Sequence, residues 1–326
     1  MINILYLVSK DYYKTKMSRV RFHSMDAIGK IANLTVCGIG WRGWDNEKTC
    51  QENVDLLYPE MNFDLVVGFK PLEMNCFGDL KFRKCLRYNE MYDMDWTISE
   101  IVRSGVDVVV CHHYNDYVQY KDLFDKVEGP KKIQFHHIPH SAESTIFKPI
   151  PVVKKEYDVI LVGATNVQTM LGDHYPLRHR MQVLLSSKNK LTDNYKTAVV
   201  PHVGGSFDDA HTDVYAKDFA KTINSSKIVI TDSGLPNSRF GKYIEIPACG
   251  TAIAGDVYDD RPDDVKRLKE FLIEINMSMT DEQIMDVLIH YLKNERDRFV
   301  KIEKGLKYAA DFTHEKYAER FLKEVF

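Results

Sequence analysis

The sequence predicts two α/β domains, each a parallel sheet with crossover helices, and three observations carry that prediction. At 326 residues the chain is too long for one small core and suits two domains of roughly 150 residues each. Short β-branched runs ending in polar residues alternate with helix-like stretches, the pattern of strand, crossover and parallel strand. The stretch KPIPVVKKE at 148–156 sets prolines among charges with neither helical nor strand periodicity, and reads as an interdomain linker. Domain limits of 1–150 and 151–326 follow.

Bulk properties narrow the class. Hydrophobic content of 44% with 28% charged residues is that of a globular protein, and no run approaches the roughly 18 apolar residues of a membrane span. The opening MINILYLVSKDYY has a short apolar run without a basic leader, so it is read as the first strand. Cys37, Cys50, Cys76, Cys85, Cys111 and Cys249 form no CxxC pair and sit mostly in apolar runs, which points to reduced cysteines and a cytoplasmic protein. A net charge of -3 argues against a dedicated nucleic-acid binder.

In the first domain the expected strands are INILYLVS, NLTVCGI, FDLVVGF, KCLRY, VDVVVCHH and KKIQFHHI. In the second they are YDVILVGA, KTAVVPHV, SKIVITDS and TAIAGDV, separated by helix-like PLRHRMQVLLSS and DVYAKDFAKTIN. The chain then reads as helical, with Thr280 as an N-cap before an acidic first turn and THEKYAERFLKEVF as the last helix. Open α/β sheets bind ligands outside the carboxyl ends of their strands, so residues just after these runs carry the most weight.

The most informative segment is SRFGKYIEIPACGTAIAGD, from Ser238 to Asp256. A helix bearing Arg239, Lys242 and Glu245 runs through Pro247 to a turn at Gly250 and into a strand. A carboxylate there suits ribose hydroxyls and the cations suit a diphosphate; the plain alternative is a solvated Glu245 and a C-cap glycine. Gly163 and Ala164 offer backbone that a phosphate can approach, and Arg178 and Arg180 offer charge. Ser233 and Tyr243 complete the expected donor set.

This segment resembles the nucleotide-binding signature of the group 1 glycosyltransferases, in which a Glu precedes an Ala-Cys-Gly-Thr-like turn. KKIQFHHIPHSAESTIFKP, YDVILVGATN and FTHEKYAERFLKEVF are similar to the domain junction, the donor-domain opening and the closing helix of that group, and YPLRHR with FGKYIEIPACG resembles its CgeB-like branch. The resemblance implies the GT-B architecture: two Rossmann-like domains with a cleft between them and a C-terminal helix crossing back. It implies a UDP-, GDP- or TDP-sugar donor whose ribose Glu245 holds, a hexose or pentose as cargo, and neither cofactor nor metal.

Two departures bear on mechanism. The second Glu that many retaining members carry eight positions before the first is Asn237 here. Where relatives often place a His after a strand of the first domain, this chain reads RYNEMYD, so Glu90, backed by Asp93, could deprotonate an acceptor hydroxyl and invert the anomeric centre. The alternative is that Glu90 caps a helix starting near Met91.

His112, His113, His136, His137 and His140 cluster at strand ends, but adjacent histidines on a strand face opposite ways, so no metal site is expected. His113 and His140 are the candidates for lining the cleft, with packing as the alternative. Lys10, Lys14, Lys16, Arg19 and Arg21 interleave with Tyr12 and Tyr13, a patch suited to an anionic acceptor or a peripheral membrane contact if it is not a solvated face. The expected function is sugar transfer to a glycan, a protein or a lipid-linked acceptor ahead of nucleic acid. A sugar-nucleotide epimerase or hydrolase, or a non-catalytic nucleotide-sugar binder, is the alternative on the same fold.

Overall fold

The computed structural model describes the chain except for 15–18, 89–90, 92, 127–131, 152, 166, 170–171 and 202–211; for 19–23, 168–169, 201 and 212–213 only the backbone is described. Glu90 and Lys16 therefore lie outside the described residues, as do the side chains of Arg19 and Arg21. The chain forms two units, one of 1–139 with 314–326 and one of 140–201 with 213–313.

The first unit contains β1 (Asn3–Leu7), α1 (Lys10–Lys14), α2 (Arg19–Ile28), β2 (Asn33–Cys37), α3 (Cys50–Leu57), β3 (Leu65–Gly68), β4 (Lys84–Tyr88), α4 (Met94–Arg103), β5 (Val108–Cys111), α5 (Tyr114–Asp125) and β6 (Gln134–His137). All its pairings are parallel, in the order β2-β1-β3-β4-β5-β6. Because helices cover both faces, the strands are apolar on both sides, and alternation sorts them into two cores. Ile4, Tyr6 and Val8 pack with Met25 and Ile28 on one face, whereas Leu5 and Leu7 pack with Val54, Val66 and Phe77 on the other. Local chemistry starts the helices: Thr49 and Glu52 form a capping box at α3, and the Asp93 carboxylate caps α4.

The second unit runs through β7 (Tyr157–Gly163), β8 (Gln168–Thr169), β9 (Gly172–Asp173), α6 (Pro176–Ser186), β10 (Thr197–Pro201), α7 (Thr212–Asn224), β11 (Ser226–Ile230), α8 (Lys242–Ala248), β12 (Ala252–Gly255), α9 (Pro262–Phe271), β13 (Ile273–Glu274), α10 (Asp281–Lys293) and α11 (Glu295–Ala309). Its sheet is parallel, β10-β7-β11-β12-β13, and β8 pairs antiparallel with β9. The chain leaves β7 for β10 on one side and then returns to β11 on the other, so the strand order reverses beside β7. In open parallel sheets such a reversal is where ligands bind, at the carboxyl ends of the flanking strands, here β7 and β11.

Strand expectations hold throughout, and the Thr280 cap of α10 is present with Gln283 completing a capping box. The two-residue strands β8, β9 and β13 were not read from the sequence, being too short to show periodicity. The KPIPVVKKE stretch is part of the second unit instead of a free linker, because Asn224 grips it: Ile150 N–H donates to Asn224 Oδ1 at 2.8 Å and Asn224 Nδ2 donates to Lys148 O at 3.0 Å. The last helix, α12 (His314–Val325), returns to the first unit, where Tyr317, Phe321 and Val325 are buried in the core with β1 and α2. Among the described residues no helix is long and apolar enough to cross a membrane.

Candidate functional site

Beside this reversal stands Gly163, the last residue of β7. Its φ of +109° is one that side chains rarely adopt, and a Cβ there would lie 2.6 Å from Arg178 Nη1 and 3.1 Å from Lys242 Cε. Only glycine leaves room for both cations to converge on the strand end. Pro176 opens α6 with a preset φ, which places Arg178 in the first turn beside β7.

Arg178 is buried, and its hydrogen bonds join three segments. Nε donates to Asp232 Oδ1 at 2.6 Å, its backbone N–H to Asp232 Oδ2 at 3.1 Å, Nη2 to Asp232 O at 3.3 Å and Nη1 to Ala164 O at 3.2 Å. The guanidinium also lies 3.6 Å from the centre of the Tyr175 ring. Burial pushes the Asp232 carboxyl above its ordinary value, and Arg178 opposes that shift. Arg178 is thereby a clamp between β7, α6 and β11, and the backbone of Gly163 and Ala164 is held by it.

A second hub lies at the end of β12. Asp256 accepts from Ser233 N–H at 2.8 Å, from Ser233 Oγ at 2.6 Å and from Tyr243 Oη at 2.8 Å. Burial carries the Tyr243 hydroxyl far above its ordinary value, so it stays a donor to Asp256 at any ordinary pH. Ser233 and Tyr243 thus tie β11 and α8 to β12. Asn237, in the left-handed region at φ +50°, has its side-chain amide 3.2 Å from Ser233 Oγ and belongs to the same turn.

Lys242 and Glu245 stand one helical turn apart on α8 and share a face. The Lys242 stem packs toward Gly163, and a Glu245 carboxylate oxygen lies 3.2 Å from where a Cβ on Gly241 would sit. Tyr215 of α7 is near enough that, after burial, the Glu245 charge raises its hydroxyl pKa. Lys242 therefore meets the bare strand end at Gly163, with Glu245 one turn further along the same helix face and the Arg178 and Asp256 hubs beside them.

Two expected donor residues are elsewhere. Arg239 precedes α8, so it does not share a helix face with Lys242; its side chain is 1% exposed, 3.0 Å from Asp260 Oδ2, and donates to Tyr308 Oη at 2.5 Å under the Phe312 ring. An aromatic, acid-neutralised cage of that kind keeps a guanidinium from a ligand phosphate. Arg180 lies on the opposite face of α6 from Arg178 and pairs with Asp281, Nε to Oδ1 at 2.8 Å. Sequence reasoning missed Asp232 and Asp256, although both stand just past β-branched runs where the strand-end argument looks.

In the first unit, Asp93 accepts from Trp96 N–H at 2.9 Å, so it is this residue that caps the helix expected near Met91. The histidines divide between faces as the alternation of a strand requires. His112 Nδ1 meets Ile138 O at 2.8 Å and its ring lies against Tyr317, while His137 packs against Tyr114 and Tyr117 of α5. His136 is 3.4 Å from Glu324 of α12. His113 stands at the N-cap of α5 and, like His140 in the second unit, is buried. Among the described residues no three His, Cys, Asp or Glu side chains converge as a metal would need. Five of the six cysteines are buried and Cys76 is exposed.

No family model matches the chain, and no curated protein matches it in sequence. Solved structures do match along its whole length. Sucrose-phosphate synthase from Thermosynechococcus elongatus superposes with a TM-score of 0.63 at 11% identity, covering 99% of this chain and 98% of that one. HepE from Anabaena, solved with UDP and glucose, gives 0.64 at 8% identity over 100% and 99%. An alpha-glucosyltransferase solved with UDP-glucose and DNA containing an abasic site gives 0.62 at 10% identity over 99% of each. The fold is that of the GT-B glycosyltransferases.

Proposed function

We propose that the chain is a glycosyltransferase moving a sugar from a nucleoside-diphosphate sugar onto an acceptor hydroxyl, with the donor held in the second unit at the corner where Lys242 meets Gly163. We place it beside the CgeB-like branch of the group 1 enzymes on the strength of FGKYIEIPACG. The observation that carries the reading is the convergence of Lys242 on a side-chain-free strand end, Gly163, one helical turn from Glu245. Bare backbone lets a diphosphate approach closely, the ammonium offsets its charge, and the carboxylate takes the ribose hydroxyls. Arg178 works through the Ala164 carbonyl as a positioning residue. When the glycosidic bond to phosphate breaks, negative charge grows on the departing diphosphate, and a pre-placed Lys242 stabilises it more than it stabilises the intact donor. The fold match to structures solved with UDP or UDP-glucose supports UDP as the first nucleotide to test.

Calorimetry on the two side chains tests this. Lys242→Ala is expected to weaken UDP, GDP or TDP far more than the matching nucleoside. Glu245→Ala is expected to weaken nucleoside and diphosphate alike, by about 1.5–3 kcal/mol, the usual worth of a hydrogen bond to a charged group. Equal losses for UDP and uridine in Lys242→Ala, or an unchanged donor affinity in Glu245→Ala, would remove that residue from the site.

A further inference from the structure

We infer that the outer face of α11 is a self-association surface, on which a second copy of this chain packs antiparallel about a twofold axis. The inference stands apart from the transfer reading, because the face in question is turned away from α8.

The inner face of α11 consists of Arg298, Gly305, Tyr308 and Ala309, all buried, and a Cβ on Gly305 would lie 3.0 Å from Pro247 Cβ of α8. At about 100° per residue the opposite face is centred on Arg296, Phe299, Val300, Glu303 and Lys307, and all five are exposed. A surface helix ordinarily turns charge outward, yet Phe299 is 52% and Val300 45% exposed, and the two straddle the centre of that face. A single exposed apolar residue calls for no explanation. An adjacent Phe and Val at the middle of an otherwise charged face form a small patch that burial against a partner would stabilise.

The charges around the patch decide what covers it. Most of them are matched within the chain: Glu295 lies 3.5 Å from Arg298, Asp297 3.2 Å from His290 and Lys304 3.5 Å from Glu270. Arg296 and Glu303 have no ion-pair partner among the described residues. Arg296 stands three residues before Phe299 and Glu303 three residues after Val300, so the string Arg-x-x-Phe-Val-x-x-Glu reads alike from both ends except that the charge is reversed. A twofold axis passing between Phe299 and Val300 of two antiparallel helices sets Phe299 of each copy against Val300 of the other. The same axis brings Arg296 of each copy to the height of Glu303 of the other, with a rise of about 1.5 Å per residue placing both pairs about 5 Å from the axis. Glu295 and Lys304 fall at matching heights further out, and Lys307 lies past the N-terminus of the facing helix. A twofold contact requires a patch complementary to itself, and this face meets that requirement in both shape and charge. One helix pair buries less than a standard interface, so the dimer is reversible and concentration-dependent.

Sedimentation equilibrium on the full chain, from low micromolar to several hundred micromolar, tests this. The expected result is a monomer–dimer equilibrium that Phe299→Glu weakens about tenfold or more, as loss of the central anchor should. Arg296→Glu and Glu303→Arg, each alone, are expected to weaken it about fivefold or more, because the twofold axis sets like charges opposite one another at two places. An equimolar mixture of those two variants is expected to associate within about twofold of wild type, since in the mixed dimer opposite charges face each other at both contacts. A chain that stays monomeric to the top of the range overturns the inference. A dimer left intact by Phe299→Glu overturns it as well, by placing the contact on another face. A mixture that associates no more tightly than either charge variant alone overturns the antiparallel register. All three substituted side chains are exposed, so the variants are expected to melt with the parent, and thermal unfolding checks that lost association is not lost folding.

Discussion

Arg178 and Arg239 share a residue type and a place near a nucleotide-like motif, yet both guanidiniums are turned into the protein, one against Asp232 and one against Asp260. Arg178 and Lys242 both reach Gly163, but Arg178 is engaged by Asp232, so Lys242 is the cation proposed for the diphosphate, a distinction of side-chain direction that residue type does not carry. In the first unit the Asp93 carboxylate serves the α4 cap, so Glu90, which follows β4 by sequence, is the proposed base. Glu90→Gln is expected to slow turnover by about 100-fold to 10,000-fold with donor affinity intact. Near-normal turnover, or a product with the anomeric configuration of the donor, would reassign Glu90 and bring His113 and His140 forward. Glu100 gives a pH signature. Its carboxyl is raised above the ordinary 4.5, first by burial, so the folded chain keeps the proton to a higher pH than the unfolded chain does. The resulting stability is fully present below the unfolded value and is lost as pH rises through the folded one. Urea midpoints of wild type and Glu100→Gln, compared from about pH 4 to pH 7, should therefore show the wild type losing more ground on the alkaline side. Parallel pH profiles would refute the shift.

At the scale of elements, the joint between β7, α6 and β11 is where stability and the donor corner meet. Asp232→Asn keeps the shape but strands the Arg178 charge in a buried site, and breaking a buried pair in this way costs about 3–5 kcal/mol. A large fall in the denaturation midpoint is expected, together with weaker diphosphate binding, because the Ala164 carbonyl loses a fixed partner. Loss of stability with undiminished binding in the surviving folded fraction would show that the clamp does not position the corner. The start of α8 matters for the same reason: it begins at Lys242, one residue past Gly241, which puts Lys242 and Glu245 on one face and leaves Arg239 in the preceding turn.

At the scale of the whole molecule, α12 is the one C-terminal element that belongs to the first unit. Tyr317, Phe321 and Val325 fill its core, Arg87 donates to Tyr317, and Arg83 Nη1 donates to Val325 O at 2.5 Å. Each such side chain is worth about 1.5–3 kcal/mol on burial, so a chain truncated after Thr313 should lose most of the stability of a typical domain in the first unit. Calorimetry is expected to show that transition lost or strongly lowered, with the transition of the second unit kept; an unchanged scan would contradict the packing. The parallel sheets were legible in the sequence because buried strands of a parallel sheet are continuous β-branched runs and their ends are polar, and the cap at Thr280 was legible as a threonine before an acidic first turn. Glu245, Lys242 and Gly163 were legible as residue types at strand ends and in a motif. What the sequence by itself determined is thus the local and periodic part: which segments are strands, which are helices, and which strands end in polar residues. Only the tertiary structure decided which charges face one another, because Asp232, Asp256 and Asp260 meet their partners Arg178, Tyr243 and Arg239 across segments brought together by the strand order, and whether a guanidinium serves a ligand or a neighbouring carboxylate depends on that three-dimensional pairing.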